Sequence, residues 1–559
     1  MINRKIFYTA TAALLLFIFA ASQPLLAQSL PVGSSILEDY FRREQIKGER
    51  DSLVSFLVRP LVARNKAAAD SLFQTTVEED VFLKGRGRFR VLPASIRQQY
   101  NTHHPFGWND GPMIPANGYQ AYFTAGFFAS VGDWLTVQLQ PELVYAANKD
   151  FATFPAGHTD SIWRAYYAFA NDIDNPERYG SRNYTRVFAG QSSIRFNYKK
   201  LSLGVSTESL WWGPGIRNSL IMSNNAPGFL HLSLNSRAPM KTFLGHVEWQ
   251  LIGGVLENSG IYPLDTTRTF EGQQLYIPKP DHRRYINAMT ISWQPKWIPN
   301  LFIGFSRAFY QYNNNIPKNA NGYLPVFTSF FKGQGNDDIA IGRDQLLSAS
   351  FRWVLPREKA EIYAAYGRND HAQNSEDLLL EPEHSRAYLI GLHKIFNTRK
   401  NREVEVLLEM TQTQEPATGS LRALQPWYAH YQTRHGYTNL GQVIGAGIGP
   451  GGNSQTLGVS WNKGIQKTGF FVDRIVHNND FYYAAFGPMN RSDVHWVDLA
   501  INAYKTWRFQ QILLSANASF IRSFNYQWRY KDNPAILLNG NKDINNLQLG
   551  CTVSYLFGK

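Results

Sequence analysis

The chain has 559 residues, a formal charge of +13, 14% aromatic residues and a single cysteine. One cysteine excludes an intrachain disulfide, and after the first two dozen or so residues no apolar run is long enough for a membrane helix. The basic balance points to an anionic neighbour such as lipid phosphate or an acidic polysaccharide, and export makes nucleic acid an implausible partner.

Residues 1–27 read as a secretory signal. Arg4 and Lys5 form a positive start, Phe7 to Ala21 is mostly apolar, and Leu25-Leu26-Ala27 offers a cleavage site before Gln28. Residues 28–85 read as a small helical region, on the periplasmic side or inside the barrel. Ser35 and Glu38 fit a capping box, and Ile36, Leu37, Tyr40 and Phe41 follow at helical spacing. A second helical stretch is expected from Ser52 to about Val62, interrupted by Pro60, and a third from Lys66 to Phe73.

From residue 86 to 559 the pattern changes to an all-β one. Eighteen strands are expected, at 86–97, 118–131, 134–147, 184–198, 201–212, 228–237, 242–257, 284–295, 300–313, 345–355, 360–369, 386–396, 403–414, 455–463, 467–478, 494–508, 511–526 and 545–557. Several alternate clearly between apolar and polar residues. Leu547, Leu549, Cys551, Val553, Tyr555 and Phe557 oppose Gln548, Gly550, Thr552 and Ser554. Val404, Val406, Leu408 and Met410 oppose Glu403, Glu405, Glu409, Thr411 and Thr413. Cys551 is therefore expected on the lipid side, and Pro141 inside a strand predicts a bulge or a shorter strand.

The connections alternate short and long without a miss. The long ones fall at about 98–117, 148–183, 213–227, 258–283, 314–344, 370–385, 415–454, 479–493 and 527–544. A soluble sandwich has no reason to place every long loop at one end. An outer-membrane barrel does, with short periplasmic turns and long extracellular loops. The fold class predicted is an all-β transmembrane barrel of about 18 antiparallel strands with a small N-terminal helical element, in the outer membrane of a Gram-negative bacterium.

Few motifs carry chemistry. Gly447 to Gly452 matches G-x-G-x-x-G, but it follows a loop and opens no helix, so a loop tip folded back on the barrel is the better reading. No metal-ligand spacing and no nucleophile motif stands out, so neither a cofactor, a metal nor an enzymatic activity is expected. Three loop segments suggest sugar binding, because flat aromatic faces and planar polar groups match the C–H faces and hydroxyls of a sugar. They are Glu208 to Asn225, Leu380 to Tyr388 and Arg434 to Gln442. The candidate polysaccharide-binding residues are Trp211, Trp212, Arg217, Asn224, Asn225, His384, Arg386, His435, Tyr437 and Asn439. The competing readings are an aromatic girdle for one of the two tryptophans and hydrogen-bonded loops closing the barrel mouth for the rest.

These segments also carry a resemblance. The stretches "ESLWWGPGIRNSLIMSNNAPG", "EPEHSRAYLIGLHK", "RHGYTNLGQVIGAGIGPGGNSQ" and "QQYNTHHPFGWNDGPMIPANGYQ" are similar to segments of the Wzi family of capsule-assembly outer-membrane proteins. The resemblance implies an 18-stranded barrel occluded by loops. It also implies a lectin-like role, attaching capsular or extracellular polysaccharide at the cell surface. The partners expected are that polysaccharide and outer-membrane lipids, with the protein a monomer. The alternative is an outer-membrane porin or glycan transport channel, for which inward Glu142, Glu248, Glu403, Glu405 and Glu409 would line a water-filled lumen.

Overall fold

A computed structural model of the chain describes residues 28–33, 35–49, 53–63, 70–71, 79–328, 341–369, 379, 383–398, 402–416 and 426–558. Eighteen antiparallel strands form one closed wall. They are β1 (Gly87–Asn101), β2 (Gly118–Val131), β3 (Leu135–Leu139 and Glu142–Ala146), β4 (Tyr184–Phe188 and Ser193–Tyr198), β5 (Leu201–Ser206), β6 (His231–Ser236), β7 (Gly245–Leu256), β8 (Arg284–Pro295) and β9 (Leu301–Tyr312). The second half comprises β10 (Asp344–Leu355), β11 (Ala360–Asn369), β12 (Arg386–Asn397), β13 (Glu403–Gln412), β14 (Asn453–Lys463), β15 (Gln466–Val476), β16 (Val497–Phe509), β17 (Ile512–Phe524) and β18 (Ile544–Tyr555). Each strand pairs with the next, and β18 closes on β1 from Gln548↔Asn101 to Tyr555↔Ala94. Closure leaves no continuous sheet edge to face lipid, which is what a membrane demands of a sheet.

The period-two alternation sets the two faces. On β13, Leu408 and Met410 are exposed toward lipid while Glu405, Glu409 and Thr411 are buried inside. On β18, Leu547 and Leu549 face out and Asn546 and Gln548 face in. Cys551 is half-buried on the outward parity of Leu549. Pro141 breaks β3 between Leu139 and Glu142 without changing which residues face inward. A register shift between Leu92 and Ser95 surrounds Pro93 on β1, where the missing N–H favours a bulge.

The lumen is filled from both ends. Helix α1 (Ser35–Ile46) lies inside the barrel. Its Arg42 reaches Glu361 of β11 at 2.7 Å, and Arg43 lies 3.8 Å from Glu405 of β13. Ser35 begins the helix, and Glu38 turns to Arg59 at 2.7 Å rather than back to the helix start. The stretch expected as a second helix is extended instead. Val58–Arg59 pairs with Trp211–Trp212, and Leu61–Ala63 pairs with Gln28–Leu30. Pro60, which removes an N–H, separates the two short strands. The signal segment lies outside the described residues, as does nearly all of the third expected helix.

From above, the chain leaves the wall after Ser206. The strand expected over 201–212 therefore ends six residues early, and residues 207–230 dive into the lumen. Trp212, Leu220, Ile221 and Met222 meet inward Ile252, Ile286, Tyr310, Tyr363 and Leu389, and the loop residues Trp427, Tyr428 and Tyr437 join the same core. A second core lies higher, between two helices in the long loops, α2 (Asp160–Ala170) and α3 (Asn479–Phe486). There Phe154, Trp163, Phe481, Phe486, Trp528 and Tyr530 pack together. The α2 sequence carries Ile162, Trp163, Tyr166 and Tyr167 at helical spacing, a signal the strand rhythm obscured.

Candidate functional site

One wall carboxylate takes three successive amides of the plug. Glu409 of β13 accepts the backbone N–H groups of Ile216, Arg217 and Asn218 at 2.7, 3.0 and 2.9 Å. Tyr363 donates its hydroxyl to the same carboxylate at 2.8 Å. Four donors on one buried acceptor fix the loop as a nest fixes an anion. The other inward acids expected to line open water are also engaged. Glu405 meets Lys467 and His393 at 2.9 and 2.8 Å, Glu142 accepts from Tyr122 and Gln191, and Glu248 accepts from the Ser55 N–H.

Around that anchor the sequence-predicted residues take distinct places. Trp211 and Trp212 are both buried inside the barrel, so neither belongs to the outer girdle. The Arg59 guanidinium sits 4.5 Å over Trp211, and the Trp212 Nε1 donates to Gln250 Oε1 at 3.0 Å. Arg217 is part-exposed between Trp108 and Phe471, 4.6 and 4.9 Å from their ring centres, and pairs with Asp473 at 3.1 Å. The Asn224 side chain donates to the Asn109 carbonyl at 3.3 Å. That of Asn225 accepts from the Asn109 N–H and donates to Val443 O at 3.0 Å. These contacts tie the first long loop, the plug and the 415–454 loop together.

The 434–443 segment is held as tightly. Arg284, fully buried, donates to the carbonyls of Gly436 and Thr438 at 2.7 and 3.1 Å. Asn439 accepts the Glu257 N–H and donates to Pro227 O. Tyr437 is fully buried and stacks against Tyr428. His435 is buried and shares a hydrogen bond with the Tyr312 hydroxyl at 2.9 Å. Burial, with Arg284 and Lys279 nearby, pushes its imidazole down to about 2, so it stays neutral. Gly447 lies against Trp108, where a Cβ would come within 2.5 Å of that side chain. The glycine run is thus the loop tip folded onto the plug.

His384 and Arg386 lie in and just after the turn before β12, whose Ser385 carbonyl accepts from the Trp427 indole at 2.9 Å. His384 is half-buried. Arg386 stacks 5.5 Å from the Tyr388 ring and lies 3.8 Å from Glu383. Residues that sequence reasoning missed sit on top of the network. Tyr262, Tyr431 and Tyr483 come from three different long loops and are each at least half exposed. Arg164, Arg182 and Arg283 are exposed on the same loops or their neighbours. Only Tyr262 carried a signal in sequence, as a lone tyrosine in a polar loop, whereas Tyr431 and Tyr483 sit among other aromatic residues. Among the described residues no group of three or more His, Cys, Asp or Glu side chains could hold a metal.

A closed antiparallel wall, short turns at one rim and long loops sealing the other define a plugged outer-membrane β-barrel. The sequence pattern of the family described as capsule assembly protein Wzi matches residues 93–464, and the chain belongs to that family. Its fold is similar to a solved structure from Escherichia coli described as Wzi, an outer membrane protein involved in group 1 capsule assembly and a carbohydrate-binding β-barrel. The TM-score is 0.58 at 12% identity, covering 96% of this chain and 100% of that one. Weaker likenesses include a BenF-like porin from Pseudomonas fluorescens, with TM-score 0.38, 8% identity and 83% and 98% of the two chains covered. Another is OccAB4 from Acinetobacter baumannii, with TM-score 0.35, 10% identity and 83% and 97% covered. No curated protein sequence matches the chain.

Proposed function

We propose that the protein is a non-enzymatic, lectin-like holder of capsular or extracellular polysaccharide at the outer surface, working as a monomer in the outer membrane. One observation carries the reading: a hydrogen-bonded crown of long loops seals the barrel mouth and presents aromatic faces from separate loops. Weak contacts repeated along one polymer retain it through avidity. Exposed arginines add salt-sensitive attraction for an acidic chain. His384 and Arg386 remain contact candidates, and so do the part-exposed Arg217 and Asn225. Trp211, Trp212, Asn224, His435, Tyr437 and Asn439 serve by holding the crown in shape. A channel fits less well, because the plug occupies the space a solute would cross.

Deleting the gene in the native host tests this. Polymer made in normal amounts should move from washed cells into the medium. An unchanged partition overturns the reading. Replacing Tyr262, Tyr431 and Tyr483 together with alanine should reproduce much of that shift while the barrel keeps its heat-modifiable mobility in gels.

A further inference from the structure

The plug does not fill the whole lumen. Between it and the β15–β18 and β1–β3 wall runs a cavity of about 500 Å³. That is the size of small-ligand sites, about 300–1,000 Å³. Its lining reaches from Ile465, Leu513 and Leu556 near the periplasmic rim to Phe106, Trp108 and Asp110 under the first long loop. The lower end is closed by an apolar cluster in which α1 packs Leu37 against Ile465, Leu513 and Leu556. The roof is tethered by Gln548, whose Nε2 donates to Phe106 O at 2.5 Å, and by the Gly111 N–H to Asn224 O at 2.7 Å.

Two features of the lining define the ligand chemistry. First, the arginines and the lysine of its lining are each paired with a carboxylate. Arg97 pairs with Asp110, Arg217 with Asp473, Arg59 with Glu38 and Lys467 with Asp39. Arg42 is taken by Glu361 on the lumen wall, and Glu142 is held by the neutral donors Tyr122 and Gln191. An anionic ligand would compete with the carboxylates that already pair these cations. Second, the surfaces are divided. The β17, β18 and β1 wall offers short hydroxyl and amide side chains, Ser515, Asn517, Thr552, Ser554 and Ser95. The roof offers the rings of Trp108 and Phe106. Hydroxyl-bonding groups on one side and aromatic faces on the other suit a pyranose.

We propose that this cavity is an internal carbohydrate site that takes a short uncharged stretch of glycan, separate from the outer crown. The inference rests on the carbohydrate reading above. The barrel wall supplies the hydrogen bonds, and the 106–112 roof supplies the stacking surface and opens to admit the chain end.

The test uses the full chain in detergent with two probes, maltotriose as the neutral trisaccharide and trigalacturonate as its charged counterpart, read by ligand-detected saturation-transfer NMR. Maltotriose should bind at least tenfold more tightly than trigalacturonate. Ser554→Trp and, independently, Ser515→Trp fill the cavity from the wall and should each weaken maltotriose at least tenfold. Heat-modifiable gel mobility identifies which variants keep the barrel, and only those are compared. Equal binding of both probes, no binding of maltotriose, or unchanged binding in a folded cavity-filled variant overturns the proposal. The polymer partition in cells separates the two readings. Retention in cells carrying Ser554→Trp with no maltotriose effect sinks the internal site alone, whereas normal retention in the gene deletion sinks the surface-holding function.

Discussion

The two halves of the lumen use the same alternating strands and reach opposite states. Behind β8–β12, inward Ile286, Ala308, Tyr310, Tyr363 and Leu389 are packed against the inserted loops with almost no exposure. Behind β16–β18 and β1, inward Asn502, Ser515, Asn517, Thr552 and Ser554 face a cavity. Strand alternation decides only which residues face inward. Side-chain size and polarity decide whether the plug can lock onto them, since apolar residues gain by excluding water and interlocking. Short hydroxyl side chains gain as much from water or a ligand. The plug therefore leans on one wall, and the other is left facing the cavity.

The sharpest way to break this asymmetry is to cut the plug from its wall. Glu409→Ala removes the acceptor of three backbone amides and the Tyr363 hydroxyl, which should cost about 3–5 kcal/mol. Urea titration in detergent should show the loss, and planar bilayers should show ion currents for the variant but near silence for the unaltered protein. Native-like stability and silence together would mean that Glu409 is not the anchor.

A smaller effect separates the halves directly. Ala308→Leu adds volume to the packed half and should cost about 1–3 kcal/mol. Ser515→Leu adds similar volume on the cavity side and should stay within about 0.5 kcal/mol. Equal costs for the two would remove the distinction between them.

The smallest effect concerns the crown. Glu415 and Asp480 approach each other above the barrel, where the Glu415 N–H donates to Asp480 at 2.9 Å. Burial lifts Glu415 to about 7, and burial together with the Glu415 charge lifts Asp480 to about 8. Both folded values lie above the unfolded carboxyl range near about 4. Their contribution to stability is therefore complete below that range and is lost as pH rises through 7 and 8. Protection factors in the α3 region, corrected for the intrinsic exchange rate, should be lower at pH 9 than at pH 6, and Asp480→Asn should flatten the difference.

Much of the wall was legible in the residues themselves. The strands 118–131, 284–295 and 360–369 have the boundaries that their alternation predicted. The inward acids of β13 were also readable, but their role was not. Glu409 reads as a polar lumen residue, and only the arrival of Ile216–Asn218 makes it an anchor. Trp211 and Trp212 misled for the same reason. A strand pattern running through Leu201, Leu203 and Val205 gives no sign that the chain turns inward at Ser206. The partner strand at Val58–Arg59 lies about 150 residues away in sequence.

What the sequence determined by itself is the barrel: a period-two pattern, short turns and long loops suffice, because lipid contacts each strand in the same way along its whole outer face. Only the tertiary structure decided which loop and which N-terminal segment enter the lumen, where they pack tightly and where they leave room. Those outcomes depend on contacts between segments hundreds of residues apart, and no local periodicity records them.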